Sequence, residues 1–315
     1  TLTGVPAPLP NSLTVAAMNV ERLFDDVNDP ATSDVVMTTT AYNGRLAKLS
    51  LAIRNQLNTP DVVAFEEAEN LSVLTALAGK INTDAVAGGA AAPNYQPFLV
   101  EGNDPGGIDV GFLVKTGISV ISVTQLGKAT TYTSPCTGAQ ETLNDRPPLR
   151  LRASAVKGGN SLDFTVFVNH LRSLNGVDDL TACATGTEGN RVRTKRAAQA
   201  DYLAQLIQDE LTSNPSARII TVGDFNAFEV NDGFGDSINA IMGTPAPATQ
   251  VLKANADATY PDMTNMLTLL PDAQRYSYVF DGNHQTLDHV ILNPAARSQF
   301  LSGGYARVNS DFNET

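Results

Sequence analysis

The chain has 315 residues, 42% of them hydrophobic and 17% charged, with a formal net charge of −12. That length supports a large core in one big α/β domain or two smaller ones. The acidic balance argues against loose, unspecific binding to nucleic acid, which needs lysines and arginines over phosphates, but not against an enzyme that handles phosphate locally through a metal ion.

From the N-terminus, "TLTGVPAPLPN" is proline-rich and reads as an arm or linker over 1–11. "SLTVAAMNV" is a strand candidate ending at Asn19. "RLAKLSLAIRNQL" is an amphipathic helix with Leu46, Leu49, Ile53 and Leu57 on one face. "PDVVAFEEAEN" is a short buried strand ending in carboxylates. "NLSVLTALAGKI" is helical, with Asn70 as its N-cap. From about 94 to 170 the pattern turns to strands: "YQPFLVE", "IDVGFLVKT", "ISVISVTQL", "LRLRASAVK" and "LDFTVFVNH".

A long helix follows at about 190–213, with an apolar stripe of Leu203, Leu206, Ile207 and Leu211; Asn214-Pro215 stops it. "RIITVGDFNAF" is a buried strand that ends in Asp224 and Asn226. After a mixed segment come two more strand candidates, "RYSYVF" and "TLDHVIL". No internal linker splits the chain, so one domain is expected from residue 12 to 315, with a layered sheet core and helices outside. No apolar run approaches a membrane span, and no basic-then-apolar leader opens the chain.

Only two cysteines occur, Cys136 and Cys183. Both sit in polar, loop-like sequence, which favours a disulfide in an oxidising compartment over two free thiols. Two cysteines and three histidines leave little for a structural zinc site.

Apolar strands end repeatedly in a small polar set: Asn19, Glu67, His170, Asp224 with Asn226, and Asp288 with His289. In a layered α/β fold, strand ends on one edge converge on a crevice. Carboxylates and amides without thiolates suit a hard cation, Mg²⁺ above all, or Mn²⁺ or Ca²⁺. A histidine beside such an ion can serve a phosphate or a leaving oxygen. These parts describe metal-assisted phosphoester hydrolysis.

"MNVERLF", "PDVVAFEEAEN", "GIDVGFLV", "DRPPL", "VNHLRS", "VGDFNAF" and "TLDHVIL", in that order, resemble the endonuclease/exonuclease/phosphatase family, the deoxyribonuclease I-like enzymes, and in particular its secreted bacterial nucleases. The resemblance implies a four-layered α/β sandwich with two packed mixed β-sheets flanked by helices. It implies that Glu67 and Asn19 hold the metal and that Asn19 also meets phosphate. His170 becomes the catalytic histidine, with Asp109 expected to fix its tautomer. Asp224 and Asn226, on one side of an extended chain, orient the water and hold a phosphoryl oxygen. Asp288 matches a carboxylate that orients a second histidine.

Period-2 alternation turns Glu66 away from Glu67, and the family usually has Gln before that Glu, so Glu66 and Glu69 are expected to be solvated or to stand behind the metal ligands. Arg146 is a candidate phosphate contact, and "RVRTKR" at 191–196 a candidate for nucleic-acid backbone contact. His289 and His284 are expected to be structural or peripheral. The family's closing Ser-Asp-His is expected to be missing: Ser310 and Asp311 are followed by Phe312, through truncation or loss. The function implied is that of a secreted, periplasmic or cell-surface bacterial nuclease acting as a monomer. The alternatives are a phosphatase or phosphodiesterase on small or lipid phosphoesters, and a non-catalytic binding module.

Overall fold

The structure is a computed structural model that describes residues 4–308. Ser310, Asp311 and Phe312 lie outside the described residues.

The chain folds as β1 (Val15–Leu23), α1 (Thr39–Asn55), β2 (Val62–Ala68), α2 (Leu71–Ala87), β3 (Gln96–Leu99), β4 (Asp109–Val114) and β5 (Ile118–Gln125). A hairpin of β6 (Thr131–Thr133) and β7 (Gln140–Thr142) leads to the long strands β8 (Leu149–Lys157) and β9 (Asn160–His170). A small ladder of β10 (Ala182–Cys183) and β11 (Gly186–Thr187) precedes α3 (Glu188–Ser213), β12 (Ile219–Asp224) and α4 (Ser237–Met242). The last elements are β13 (Thr264–Asn265), the hairpin β14 (Tyr278–Phe280) and β15 (Asn283–Gln285), β16 (Asp288–Leu292) and α5 (Pro294–Arg297).

Two sheets carry the fold, one of four strands in the order β1-β2-β4-β3 and one of six in the order β13-β16-β12-β9-β8-β5. Both mix parallel and antiparallel pairs. Their facing sides close over Val62, Ala64, Phe112, Leu151, Val166 and Val222, all fully buried or nearly so. The outer side of the four-stranded sheet takes α1 and α2 through Leu46, Ile53, Leu74 and Ile81. The outer side of the larger sheet takes α3 and α4 through Leu203, Ile207, Ile238 and Ile241. The result is the expected four-layered sandwich.

Local chemistry explains the boundaries. Thr38, Asn70 and Thr187 each accept an N–H of the first turn of α1, α2 and α3. The α1 stripe is buried at Leu46, Leu49 and Ile53 because these positions recur at helical spacing. The strand candidate "RYSYVF" is strand over its last three residues, β14, which pairs with β15 in a separate two-stranded hairpin.

The disulfide Cys136–Cys183 forms, tying the β6–β7 hairpin to the β10–β11 ladder. No helix among the described residues is long and apolar enough to cross a membrane.

Candidate active site

β9 and β12 run parallel, so their C-terminal ends emerge together: His170 pairs with Asp224 in register. β16 is antiparallel to β12, so its first residue, Asp288, lies opposite Asp224. In the other sheet β1 and β2 are parallel, and Asn19 pairs with Glu66. One edge of the sandwich therefore gathers Asn19, Glu66, Glu67, His170, Asp224 and Asp288.

Two backbone features aim these groups. Gly223 has φ +134°, and a Cβ there would lie 2.0 Å from the Asn169 carbonyl oxygen. Only glycine lets β12 run this close to β9 immediately before Asp224. Glu67 has φ +63°, left-handed for a non-glycine residue, and the β2 registers shift around it. The bulge breaks the strict alternation expected for Glu66 and Glu67.

Asn19 Nδ2 donates to Glu67 Oε1 at 3.0 Å and to Asp224 Oδ2 at 3.2 Å. Its own oxygen accepts the Glu21 N–H, so Asn19 orders the carboxylates from their flank. His170 Nε2 stands 3.7 Å from Glu67 Oε1 and 3.8 Å from Asp224 Oδ2, beyond hydrogen-bond length. Burial, reinforced by the positive charge of Arg146, holds His170 well below its ordinary pKa, so the imidazole is neutral. One ligand atom from each of Glu67, His170 and Asp224 lies within 4.8 Å of the other two. Two carboxylate oxygens and a neutral ring nitrogen, near one another but unbonded, fit a small divalent cation.

Asp224 is pushed up to about 7 by burial and by the facing Asp288. Its Oδ1 accepts the Asn226 N–H at 2.8 Å, and Asn226 has φ +48°. The segment after Asp224 is thus a turn, not the extended chain expected. Asn226 Nδ2 instead donates to the Leu171 carbonyl, which also accepts from Arg146. Arg146 is further held by Asp104 at 2.8 Å.

Several expectations need correction. The Asp109–His170 pair is not formed: His170 Nδ1 has no partner. Asp109 instead accepts the Gly102 N–H and lies against Glu101. Burial and the Glu101 carboxyl push Asp109 up to about 7. Asp288 Oδ2 accepts from Ser277 Oγ at 2.7 Å, a contact the sequence did not announce. Glu66 is not solvated but fully buried, and Glu69 nearly so. The "RVRTKR" run does not face solvent as a basic stripe. Lys195 binds Asp145, Arg191 binds Glu188, and Arg193 and Arg196 donate to the carbonyls of Val177 and Arg172. The run braces the loop that follows His170.

His289 is structural, with Asn265 on Nδ1 and the Ala227 carbonyl on Nε2. His284 lies in β15 and stacks on Tyr276. Sequence reading missed Ser277 and Glu101, for which no local signal exists. It undervalued Glu66, although a second acidic residue where the family has Gln was a signal.

The Endonuclease/Exonuclease/phosphatase family matches residues 14–299, and the chain belongs to that family, whose members hydrolyse phosphoesters and generally use divalent metals. Among solved structures it is similar to a humanized D. rerio TDP2, at 16% identity and TM-score 0.49, covering 90% of this chain and 84% of that one. It is similar to the human Nocturnin catalytic domain with bound sulfate, at 14% identity and TM-score 0.46, covering 79% and 75%. It is also similar to a Bacteroides thetaiotaomicron mannosyl-6-phosphatase, at 14% identity and TM-score 0.47, covering 90% and 86%. No curated protein matches the chain.

Proposed function

We propose that this protein is a divalent-metal-dependent phosphodiesterase, a secreted nuclease acting as a monomer on nucleic acid. The observation that carries the reading is the group of Glu67, His170 and Asp224, three mutually unbonded ligand atoms within 4.8 Å at one sandwich edge. Glu67 and Asp224, steadied by Asn19, would hold Mg²⁺ or a similar hard ion, which supplies Lewis-acid stabilisation of phosphoryl charge.

The chain's own groups do the rest. Asp224, whose Oδ1 is fixed by the Asn226 N–H, is placed to orient the attacking water and take its proton. Arg146 and Asn226, both anchored on the Leu171 carbonyl, lie beside His170 to steady phosphoryl oxygens. Asp288 is assigned to the same reaction, with Ser277 as its positioning partner. Exposed Tyr278 and Phe280, stacked at 6.3 Å on the hairpin leading into Asp288, offer faces for bases. The disulfide supports an oxidising location such as the periplasm, cell surface or medium.

A second reading, a phosphoesterase on small substrates, is favoured by the internal bonding of the 191–196 run. One experiment separates these: plasmid, single-stranded DNA, RNA, bis(4-nitrophenyl) phosphate and a sugar phosphate, each with Mg²⁺ or Mn²⁺ and with EDTA. Cleavage of nucleic acid that EDTA abolishes is expected, with a shallow salt dependence because few cations are free to meet phosphates. Turnover of the small esters alone would move the assignment to the second reading. Inactivity on every substrate with both metals would leave a non-catalytic binding module.

A further inference from the structure

One arginine differs from nearly every other basic residue of the chain. Of the 21 lysines and arginines, most are bound within the fold to a carboxylate, a carbonyl or a ring, as Arg45, Arg146 and Lys195 are. Among the described residues only Arg22, Lys48 and Lys253 make no such contact. Lys48 lies on α1, in an outer layer, and Lys253 in the segment after α4. Arg22 lies on β1, the strand that brings Asn19 to the edge where Glu67, His170 and Asp224 gather.

The backbone that carries Arg22 is strained. Glu21 and Arg22 have φ +50° and +60°, two successive left-handed residues that both bear a Cβ. They form a bulge opposite Glu67: from the pair Asn19–Glu66 to the pair Leu23–Ala68, β1 advances four residues and β2 two. The bulge is fixed through its main chain. The Glu21 N–H donates to Asn19 Oδ1 at 2.8 Å, Arg45 donates to the Val20 and Glu21 carbonyls at 2.6 and 2.7 Å, and the Phe24 N–H donates to the Arg22 carbonyl at 3.0 Å. The Arg22 side chain takes no part in this and is exposed. Glycine would hold the same conformation at lower cost. A bulge that keeps a long, unbonded cation at the rim of a site, against local strain, directs that side chain to something outside the fold.

We propose that Arg22 binds a phosphate of a polynucleotide strand next to the phosphate that reacts at Glu67, His170 and Asp224. The inference rests on the nuclease reading of this site and adds a determinant of its substrate class. A small ester has no neighbouring phosphate for Arg22 to meet. At most about 11 Å of chain separates Arg22 from Asn19, and a guanidinium presents paired donors that match phosphate oxygens. The 191–196 run cannot take this role while its arginines are bonded to carbonyls and to Glu188.

The test measures binding of a fluorescein-labelled single-stranded DNA oligonucleotide by anisotropy, in EDTA so that nothing is cleaved, over a range of salt. Arg22→Ala is expected to bind about 3–10-fold more weakly at low salt, with a slope of log affinity on log salt shallower by about 0.7, the share of one single-strand phosphate. Arg22→Lys keeps the charge and should restore the slope. Lys48→Ala, on the outer face of α1, should match wild type. Arg22→Gly relieves the left-handed strain, so it should melt at or above the wild-type temperature and still bind no better than Arg22→Ala. An Arg22→Ala salt line that superimposes on that of Lys48→Ala overturns the proposal, as does a wild type with no affinity for the strand. If Arg22 carries its share of the slope yet no nucleic acid is cleaved with Mg²⁺ or Mn²⁺, the contact stands and the nuclease reading fails. If nucleic acid is cleaved and Arg22→Ala binds as Lys48→Ala does, the nuclease reading stands and the contact fails.

Discussion

Two buried glutamates in this molecule receive opposite treatment. Glu210, on α3, is 5% exposed and accepts from Arg150, from two nitrogens of Arg152 and from the Thr165 hydroxyl. Glu66, on β2, is fully buried and accepts from nothing. A fold that can satisfy one carboxylate so completely leaves the other bare, surrounded by like charge. Such a concentration of unrelieved repulsion is costly, and it persists where it serves binding or chemistry. The left-handed Glu67 beside it adds backbone strain at the same place.

The strongest way to break this contrast is to remove the chemistry and watch the stability. His170→Ala is expected to lower kcat by about two to four powers of ten, while thermal unfolding in EDTA stays within a few degrees of wild type. A fall in stability with activity retained would mark the cluster as structural and dissolve the distinction. Next in size is the disulfide, which lies outside both regions but clamps the loop after His170. Cys136→Ser with Cys183→Ser should cost about 2–4 kcal/mol in urea unfolding, with the denaturant midpoint shifting and metal affinity unchanged.

Much of this arrangement was legible in the sequence. The strand-end pattern located Asn19, Glu67, His170, Asp224 and Asp288, because a strand's end is local information and the fold class puts such ends on one edge. Partners were not legible. Ser277 reaches Asp288 across 11 positions of irregular chain, and Glu101 meets Asp109 where sequence spacing had suggested His170. The burial of Glu66 was hidden for another reason. Alternation assumes a regular strand, and the left-handed Glu67 breaks it with a residue that gives no warning, since glycine or asparagine is the usual occupant. The basic run misled because a dense patch of arginines reads the same whether its donors meet solvent or backbone carbonyls.

The pair of Glu101 and Asp109 offers an intermediate case, a buried acid whose neighbour is another acid. Burial, with the Glu101 carboxyl adding to it, raises Asp109 to about 7, above its ordinary value of 3.8. A folded-state value above the unfolded one means the folded chain holds a proton that the unfolded chain releases. Stability is therefore full below about pH 4 and falls as pH rises towards 7, by about 2 kcal/mol if the proton is shared with Glu101. Asp109→Asn should remove that slope between pH 4 and 7. Urea midpoints at four pH values suffice, and a variant that keeps the wild-type slope would refute the assignment.

The finest test makes the same change in both glutamates. Glu210→Gln keeps the shape and one acceptor oxygen but loses the charge that holds two arginines. Arg150 and Arg152 are 19% and 38% exposed on their side chains, so water relieves part of the loss. The expected destabilisation is about 1 kcal/mol, with catalysis and Mn²⁺ binding untouched. Glu66→Gln, measured in EDTA, should be close to neutral, because burial already favours the uncharged acid and there is no ion-pair partner to lose. Adding Mn²⁺ should raise the wild type and Glu210→Gln by the same amount, since Glu210 lies outside the group of Glu67, His170 and Asp224. Unequal stabilisation of these two by Mn²⁺ would mean that Glu210 is coupled to the metal group.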